Sequence, residues 1–419
     1  MRIVIDVQGM QSESRFRGIG SYIGSLLDAL VKLNTDHHIV LIASAAFPQS
    51  VINLRYRYDK DYANCSVVQW HGVFPVAAHS KDNKSRAIVS RSLMHAFVNS
   101  LQPDVFLCAA IFEGFLDDAM TVIPSQTSRD YLCAAIVYDL IPFRMPESYL
   151  TDEQYAAFYK EKLAELENLD LCLTISDFSK SDIVASNVLN HSSVANISAG
   201  RDACFNPAVF SKAAKQTLLG KYSIEQPYLL CVGGGDTRKN LLRLIKAFAT
   251  TSHKFVKRFQ LVIAGHMPSI HELREVAQNE RLSTDAVKFL SFIPDEDLQA
   301  LYSCSEAVIA PSLYEGFGLT VLEAMACGVP VICSNTTSLQ EVIENPVATF
   351  DPLCASDMAA RITSVLTDTN YRIALVQSGL ERARCFTWEA SAAKLLQALE
   401  KASAAANRDL PQLKSLTHQ

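Results

Sequence analysis

The sequence contains no long hydrophobic segment and no surplus of positive charge. Its longest apolar stretches, around YLCAAIVYDLIPF, fall well below the roughly 18 residues that a membrane span needs. The opening segment MRIVIDVQGM has a single basic residue and an apolar stretch broken by Asp6, which is too short for a secretory signal. The formal net charge of -6 gives no general attraction to nucleic acid. These absences predict a cytoplasmic protein with no nucleic-acid partner.

Paired cysteines are missing as well. The chain has 11 cysteines, but they are scattered singly, and no two have the C-x-x-C spacing of a zinc or redox site. Most lie inside apolar, strand-like segments such as YLLCVGG, which is typical of reduced thiols in a protein core. We therefore expect free cysteines rather than disulfides.

The length, by contrast, exceeds what one core can hold. A single core usually stops growing near about 250 to 300 residues, so a chain of 419 residues favours two domains. Short apolar runs rich in β-branched residues alternate with amphipathic segments, which is typical of βαβ units. This alternation begins twice, at Arg2 and again at Tyr228. The pattern predicts an α/β protein with two doubly wound, Rossmann-like domains facing a central cleft.

The predicted division follows the two series. A first Rossmann-like domain is expected at residues 1–207, a linker at 208–227, and a second Rossmann-like domain at 228–385. A C-terminal helix over 386–406 is expected to cross back to the first domain, and 407–419 to form a frayed tail. The predicted strands are 2–7, 39–43, 105–108, 133–137, 171–175 and 194–198, then 228–232, 260–264, 287–290, 307–310 and 329–333.

A first glycine-rich turn, QGMQSESRFRGIGSYIGSLL, follows the first predicted strand and opens a helix. It departs from the dinucleotide fingerprint G-x-G-x-x-G, because its spacing is Gly18-x-Gly20-x-x-x-Gly24 and the next strand ends without an acid. NAD binding is therefore disfavoured. The turn can present backbone amides to an anion or a sugar hydroxyl; a turn that serves packing alone is the alternative.

A second glycine-rich turn, YLLCVGGGDTRKNLLRLIKAF, opens the second series. The Walker A pattern is absent, but Gly234 and its glycine neighbours precede Arg238 and Lys239 at the start of an amphipathic helix. Two cations and backbone N–H groups at a helix N-terminus form a suitable site for a diphosphate. A solvent-exposed charge pair without function is the alternative.

Two carboxylates lie in the segment APSLYEGFGLTVLEAMACGVPVICSN. Glu315 lies in the loop after a predicted strand, and Glu323 lies inside the helix that follows. Gly316 and Gly318 allow backbone amides to approach a ligand, and the helix N-terminus between the glutamates favours an anion. Two acids that accept hydrogen bonds from polyols, with a diphosphate between them, suit a nucleotide sugar. Either acid alone is equally consistent with an ordinary helix-start or surface residue.

This segment resembles the signature E-G-F-G-L-x-x-x-E of the retaining glycosyltransferases of family four, which have the fold called GT-B. The R-K-N element and the closing FTWEASA segment are similar to that family too. The resemblance implies a hexosyltransferase in which Arg238 and Lys239 bind the donor diphosphate and Glu323 binds the ribose. It also implies that Glu315 contacts the transferred sugar, together with the backbone amides of Phe317, Gly318 and Leu319.

In the first domain, the segments SRFRGIGSY, VYDLIPFRMPESY and ISDFSKSDI resemble the mannosyltransferases that build bacterial O-antigen polysaccharides. Many relatives have a histidine before the aspartate where this chain has Tyr138, so Asp139 alone is kept as a catalytic candidate. The resemblance implies retaining transfer of mannose from GDP-mannose to a glycan or lipid-linked oligosaccharide acceptor, near Gly18, Gly20 and Asp139, in lipopolysaccharide biosynthesis. A UDP-sugar donor, a sugar-nucleotide epimerase and a non-catalytic binding subunit are the alternatives.

Local patterns bear on metal and membrane partners. The D-x-D strings at 59–61 and 295–297 lie in a tyrosine-rich loop and at a helix start, so we expect no metal and no other cofactor. Lys84, Arg86 and Arg91, interspersed with apolar residues, are compatible with a basic amphipathic helix on the inner face of the cytoplasmic membrane. An ordinary core-facing helix is the alternative. Polysaccharide-assembly proteins are further candidate partners.

Overall fold

The computed structural model describes residues 1–33, 36–60, 62–189, 192–251, 258–267 and 269–414, with side chains described through 405. The chain divides into two compact units. The first combines Met1–Gly200 with the chain from Trp388 onward, and the second is Arg201–Thr387.

The first unit is built on a seven-stranded parallel sheet of order β3-β2-β1-β4-β5-β6-β7. Its central strands are almost fully buried, because helices cover both faces of a doubly wound sheet. The order reverses beside β1, and ligands of such sheets bind at the carboxyl ends of the strands near the reversal. The strands are β1 (Arg2–Asp6), β2 (His38–Ser44), β3 (Cys65–Trp70), β4 (Val105–Cys108), β5 (Leu132–Ile136), β6 (Leu171–Thr174) and β7 (Ser193–Asn196).

The helices of this unit connect its parallel strands. They are α1 (Gly18–Lys32), α2 (Pro48–Tyr58), α3 (Lys84–Ser100), α4 (Ile141–Arg144), α5 (Pro146–Tyr149), α6 (Glu153–Glu165) and α7 (Asp177–Ser186).

The second unit has a six-stranded parallel sheet of order β10-β9-β8-β11-β12-β13. Its strands are β8 (Tyr228–Val232), β9 (Gln260–Ala264), β10 (Val287–Leu290), β11 (Ala307–Ala310), β12 (Val331–Ser334) and β13 (Thr349–Phe350). Its helices are α8 (Lys212–Lys221), α9 (Leu241–Thr250), α10 (Ile270–Asn279), α11 (Asp295–Cys304), α12 (Leu319–Ala326), α13 (Thr337–Ile343), α14 (Ala355–Thr367) and α15 (Thr369–Ala383).

The final helix, α16 (Trp388–Lys414), belongs to the first unit, where it packs against α1 and lies beside β5, β6 and β7. The predicted return of the C-terminal helix to the first domain is confirmed. The helix continues into the segment expected to fray, and residues 415–419 of that segment lie outside the described residues. Residues 208–227, expected to form a linker, contain α8 and belong to the second unit.

All predicted strands are present, but β3 and β13 were not predicted. Both lie at sheet edges. β3 has a mixed burial pattern and β13 has only two residues, so neither produces the continuous apolar run of a central strand.

Helix α3 has two different faces. Ser90, Met94 and Val98 are buried, whereas Ile88 and Val89 are exposed. Arg91 binds Glu161 and Glu165 on α6. The helix thus packs on its own unit and leaves part of its apolar surface outside. Within the described part of the chain, every helix is too short or too polar to span a bilayer.

The cysteines are all free, as expected, and most are buried.

Candidate active site

The turn after β8 requires its glycines and presents two cations. Gly234 has φ +68°, and a Cβ there would lie 2.7 Å from the carbonyl oxygen of His266. A short 3₁₀ turn, Thr237–Lys239, follows, and its start is capped by the Asp236 carboxylate, which accepts a hydrogen bond from the Arg238 N–H at 3.1 Å. Arg238 and Lys239 therefore lie at the carboxyl end of β8, immediately before α9.

Asn240 fixes this turn to the rest of the second unit. It adopts a left-handed conformation with φ +57°, which asparagine tolerates better than most residues. Its buried side-chain amide donates to the carbonyl oxygens of Pro311 at 3.0 Å and Pro352 at 2.8 Å. The sequence interpretation gave Asn240 no role. Its position in the R-K-N element was the available signal.

The structure brings Arg238, Lys239 and Glu315 together. The Arg238 Nη1 donates to Glu315 Oε2 at 2.7 Å, and the Lys239 Nζ donates to Oε1 at 2.6 Å. The three side chains are 18%, 12% and 13% exposed, so little water screens the pairs. Burial favours the neutral acid, but the charges of Lys239 and Arg238 outweigh it and lower the pKa of Glu315 to about 2. We name this cluster the ion triad.

The loop that carries Glu315 is held from several directions. The Glu315 backbone N–H donates to Thr337 Oγ1 at 3.2 Å, and the Glu315 carbonyl oxygen accepts from Ser338 Oγ at 2.8 Å. Thr337 and Ser338 are the first two residues of α13. Gly318, at φ +107°, makes the turn into α12. A Cβ on Gly318 would lie 2.6 Å from Leu339 Cδ2, so the position requires glycine. These contacts fix the backbone of Glu315 and thereby position its carboxylate in the ion triad.

The remaining residues of this predicted site surround the same turn. Gly316 lies beside Glu315, and Leu319 is the first residue of α12. Phe317 is buried and makes an edge-on contact with Phe386, with ring centroids 5.5 Å apart. The phenyl ring therefore anchors the loop from within, and the backbone amides at 317–319 lie at the N-terminus of α12.

Glu323 lies further along α12 and is only partly exposed. The hydroxyl of Tyr302 donates to Glu323 Oε2 at 3.0 Å. Burial raises the pKa of Glu323 to about 8, the Tyr302 hydrogen bond opposes the rise, and the negative charges of Asp202 and Asp295 add to it. In the ligand-free protein this acid holds its proton near neutral pH, and hydroxyl donors from a bound polyol would stabilise its charged form.

The raised pKa of Glu323 predicts a pH-dependent effect of substitution. The folded protein retains the proton up to about pH 8, whereas an exposed glutamic acid loses it near 4.5. The group therefore lowers the stability as pH rises between these values. Glu323→Gln keeps the size without the charge. We expect it to increase the free energy of unfolding by about 1–3 kcal/mol at pH 9 and to change it little at pH 5.

Urea denaturation at the two pH values measures this difference. Glu296→Gln, at an exposed position on α11, is the control and should have little effect at either pH. If Glu323→Gln increased the free energy of unfolding equally at pH 5 and pH 9, the assignment of the raised pKa would be contradicted.

The predicted residues of the first unit have different local roles. At Gly18, the first residue of α1, a Cβ would meet open space, whereas at Gly20 it would lie 2.5 Å from the Arg15 Cα. Only Gly20 is required by packing. Asp139 follows β5, and its Oδ1 accepts a hydrogen bond from the N–H of Ile141, the first residue of α4, at 3.0 Å.

Glu113 holds the loop before Gly18, and the sequence interpretation missed it. This buried carboxylate accepts hydrogen bonds from Ser12 Oγ at 2.6 Å and Ser14 Oγ at 2.7 Å. Burial raises its pKa, and the two serine hydroxyls oppose the rise. The available signal was a lone acid in the otherwise apolar segment CAAIFEGF.

Residues 216–382 match the sequence profile of the family Glycosyl transferases group 1. The match includes the R-K-N turn, the ion triad and Glu323. This chain carries a glycosyltransferase group 1 domain. The group 1 domain accounts for most of the second unit.

The chain as a whole is similar to curated mannosyltransferases. It is 30% identical over 391 residues to the serotype-specific mannosyltransferase WbdA of Escherichia coli, covering 93% of this chain and 46% of WbdA. It is 33% identical over 255 residues to the O-antigen chain mannosyltransferase B of Escherichia coli, covering 60% of this chain and 66% of that protein. The chain thus spans about half the length of WbdA.

Solved structures show the same fold around the group 1 domain. Sucrose-phosphate synthase from Thermosynechococcus elongatus superposes with a TM-score of 0.71 at 20% identity, covering 97% of this chain and 100% of that one. HepE of Anabaena in complex with UDP and glucose superposes with a TM-score of 0.67 at 16% identity, covering 96% of this chain and 99% of HepE. The GT-B fold predicted from the sequence is confirmed.

Proposed function

We propose that this protein is a retaining mannosyltransferase, which moves mannose from GDP-mannose onto a growing polysaccharide of the O-antigen type in lipopolysaccharide biosynthesis. The observation that carries the proposal is the ion triad, which presents two cations beside the N-terminus of α12. The printed names of the mannosyltransferases similar to this chain support the choice of sugar and product.

The triad suits a departing diphosphate. Glycosyl transfer builds negative charge on the leaving group, and preorganised cations stabilise that charge in the transition state. An ammonium has three hydrogen-bond donors and a guanidinium has five, so Lys239 and Arg238 can each bind Glu315 and a phosphate oxygen at once. Glu315 holds both cations in position before the donor arrives, and Glu323 would accept hydrogen bonds from the ribose.

The acceptor side of the proposal belongs to the first unit. We assign the acceptor to the loop around Gly18 and Gly20, which Glu113 holds through Ser12. Attack on the same face as the leaving group would retain the anomeric configuration, with a donor phosphate oxygen or Asp139 taking the acceptor proton.

The proposal includes no metal. Carboxylates of both D-x-D strings make contacts within their own units: Asp59 Oδ1 accepts from the Val67 N–H at 2.7 Å, and Asp297 binds Lys221 and Tyr222. Asp61 lies outside the described residues.

The experiment that tests the donor is the thermal shift of the purified protein with GDP, UDP, ADP and NAD, because a ligand that binds only the folded state raises Tm. We expect a shift with GDP alone. Transfer from GDP-mannose to mannose oligosaccharides, with the new anomeric configuration assigned by NMR, would then test the reaction itself.

The other outcomes select the alternatives. A shift with UDP alone would replace GDP-mannose by a UDP-sugar, the nucleotide class of the HepE complex, and NAD alone would overturn the proposal. Consumption of the sugar nucleotide without an acceptor would indicate an epimerase. Donor binding with no turnover would indicate a binding subunit.

A lipid-linked acceptor would bring the protein to the inner face of the cytoplasmic membrane, beside other polysaccharide-assembly proteins. The exposed side chains of Ile88, Val89 and Leu93 on α3, with exposed Lys84 on the same helix, are the surface we propose for this peripheral contact. Liposome flotation that persists after Ile88, Val89 and Leu93 are replaced by serine and Lys84 by glutamine would contradict it.

A further inference from the structure

A wide groove of about 720 Å³ lies on the first unit between α1 and α2. Helix α1 contributes Asp28 and Lys32, and Tyr62 belongs to the segment before β3. Helix α2 contributes Ile52 and Tyr56, one turn apart, and Asn53 and Arg57, also one turn apart. The volume falls within the roughly 300–1,000 Å³ of ligand-binding clefts, and no part of the predicted donor or acceptor site lines it.

Large apolar groups stand exposed in this groove. Tyr56 is 70% exposed and Ile52 is 60% exposed, although both are of the size and type that proteins usually cover. The Lys60 ammonium lies 4.6 Å from the centre of the Tyr56 ring and covers one of its faces. Tyr56 and Ile52 thus give the groove an apolar face that a ligand can cover.

Asp28 and Arg57 neutralise one another in the groove. Arg57 Nε donates to Asp28 Oδ1 at 2.9 Å, a second guanidinium nitrogen donates to Oδ2, and the Tyr58 hydroxyl donates to Oδ1 at 3.0 Å. Arg57 and Asp28 are still 45% and 33% exposed, so a ligand can reach both. The groove therefore offers donors and acceptors of fixed geometry, and Lys32 and Lys60 leave it with a net positive charge.

These features suit a neutral sugar chain. A pyranose ring has apolar C–H faces, which pack on tyrosine and isoleucine, and a rim of hydroxyls, which exchange hydrogen bonds with carboxylate, guanidinium and amide groups. A phosphate would be attracted by Lys32 and Lys60 but would meet the Asp28 carboxylate, which already occupies Arg57. A lipid chain would desolvate the Arg57–Asp28 pair without replacing its contacts with water.

We propose that this groove is a second glycan-binding site, which holds sugars of a neutral oligosaccharide acceptor distant from the residue that is extended. The site deepens the proposed function and rests on it, since the glycan is the acceptor of that reaction. It would raise the affinity for long acceptors over short ones without altering the donor site.

The test compares a mannose disaccharide with mannose oligosaccharides of at least six residues. Tyr56→Ala removes the most exposed ring, and we expect it to raise KM for the long acceptor about fivefold to tenfold. We expect kcat, KM for the disaccharide and the GDP-induced thermal shift to stay unchanged. Ile373→Ala, which shortens an apolar side chain 50% exposed on α15 of the second unit, is the matched control and should alter none of these.

A direct titration of the long oligosaccharide against the wild type and Tyr56→Ala separates this inference from the proposed function. Weaker binding to the variant supports the groove even when no mannosyl transfer is detected, and that lack of transfer would count against the proposed function alone. Equal long-acceptor KM and equal binding for the two proteins would overturn the second site. Concentration-dependent dimerisation that Tyr56→Ala abolishes, without oligosaccharide binding, would overturn it in favour of a contact between two copies of the chain.

Discussion

Replacing Lys239 by alanine should lower kcat by about 100- to 1,000-fold, the loss typical of removing one preorganised group that stabilises transition-state charge. The ammonium lies 2.6 Å from the Glu315 carboxylate and is 12% exposed, so water cannot easily take its place. In the proposed reaction the same group neutralises the departing diphosphate, where charge develops only as the glycosidic bond breaks. The loss should therefore appear mainly in kcat rather than in donor KM.

Steady-state kinetics with saturating acceptor measures this effect, and circular dichroism checks that the variant is folded. Lys246→Ala is the matched control, because Lys246 lies on the exposed face of α9, beyond the same turn. Turnover unchanged in Lys239→Ala, or reduced equally in Lys246→Ala, would remove Lys239 from the leaving-group role.

The sequence predicted which residues would form the proposed donor site, but it did not predict how Arg238, Lys239 and Glu315 pair. The glycine turn after β8 and the E-G-F-G-L segment after β11 were each recognised from local patterns, because positive φ angles and strand ends leave residue signatures. The bonds from Arg238 and Lys239 to Glu315 join positions 77 and 76 residues apart. These bonds form because β8 and β11 are neighbours in the sheet. Neither segment by itself indicates that strand order.

The same reasoning explains the residues that were missed. Asn240 and Glu113 act by binding groups distant in sequence: the carbonyl oxygen of Pro352 for Asn240, and the Ser12 and Ser14 hydroxyls for Glu113. Asparagine is common in turns and glutamate on protein surfaces, so the local signals at the two positions do not identify these contacts. Local conformation and the interior strands are encoded in short patterns, whereas strand order and the polar side chains that connect loops depend on the completed fold.

Glu315→Ala should destabilise the protein by about 3 kcal/mol, because it leaves two largely buried cations without their shared counter-charge. Arg238 retains a hydrogen bond to the carbonyl oxygen of Tyr314 at 3.3 Å and a longer contact of 3.5 Å with Asp236, so we place the loss at the lower end for a broken buried pair. Asp285→Ala removes the 74% exposed partner of Lys288 in the same unit and is the matched control. Its expected effect is below about 1 kcal/mol.

The pH dependence distinguishes the lost charge from lost packing. The pKa of Glu315 is about 2 in the folded protein against an ordinary 4.5, so its stabilisation is complete above about pH 4.5 and disappears as pH falls towards 2. The difference in free energy of unfolding between the wild type and Glu315→Ala should therefore be constant from pH 6 to 8 and shrink below pH 4.5, as denaturant titrations at each pH would measure. A difference that stays constant down to pH 3 would mean that the side chain stabilises the loop by packing. Glu315 would then lose its proposed role of ordering the two cations for the donor.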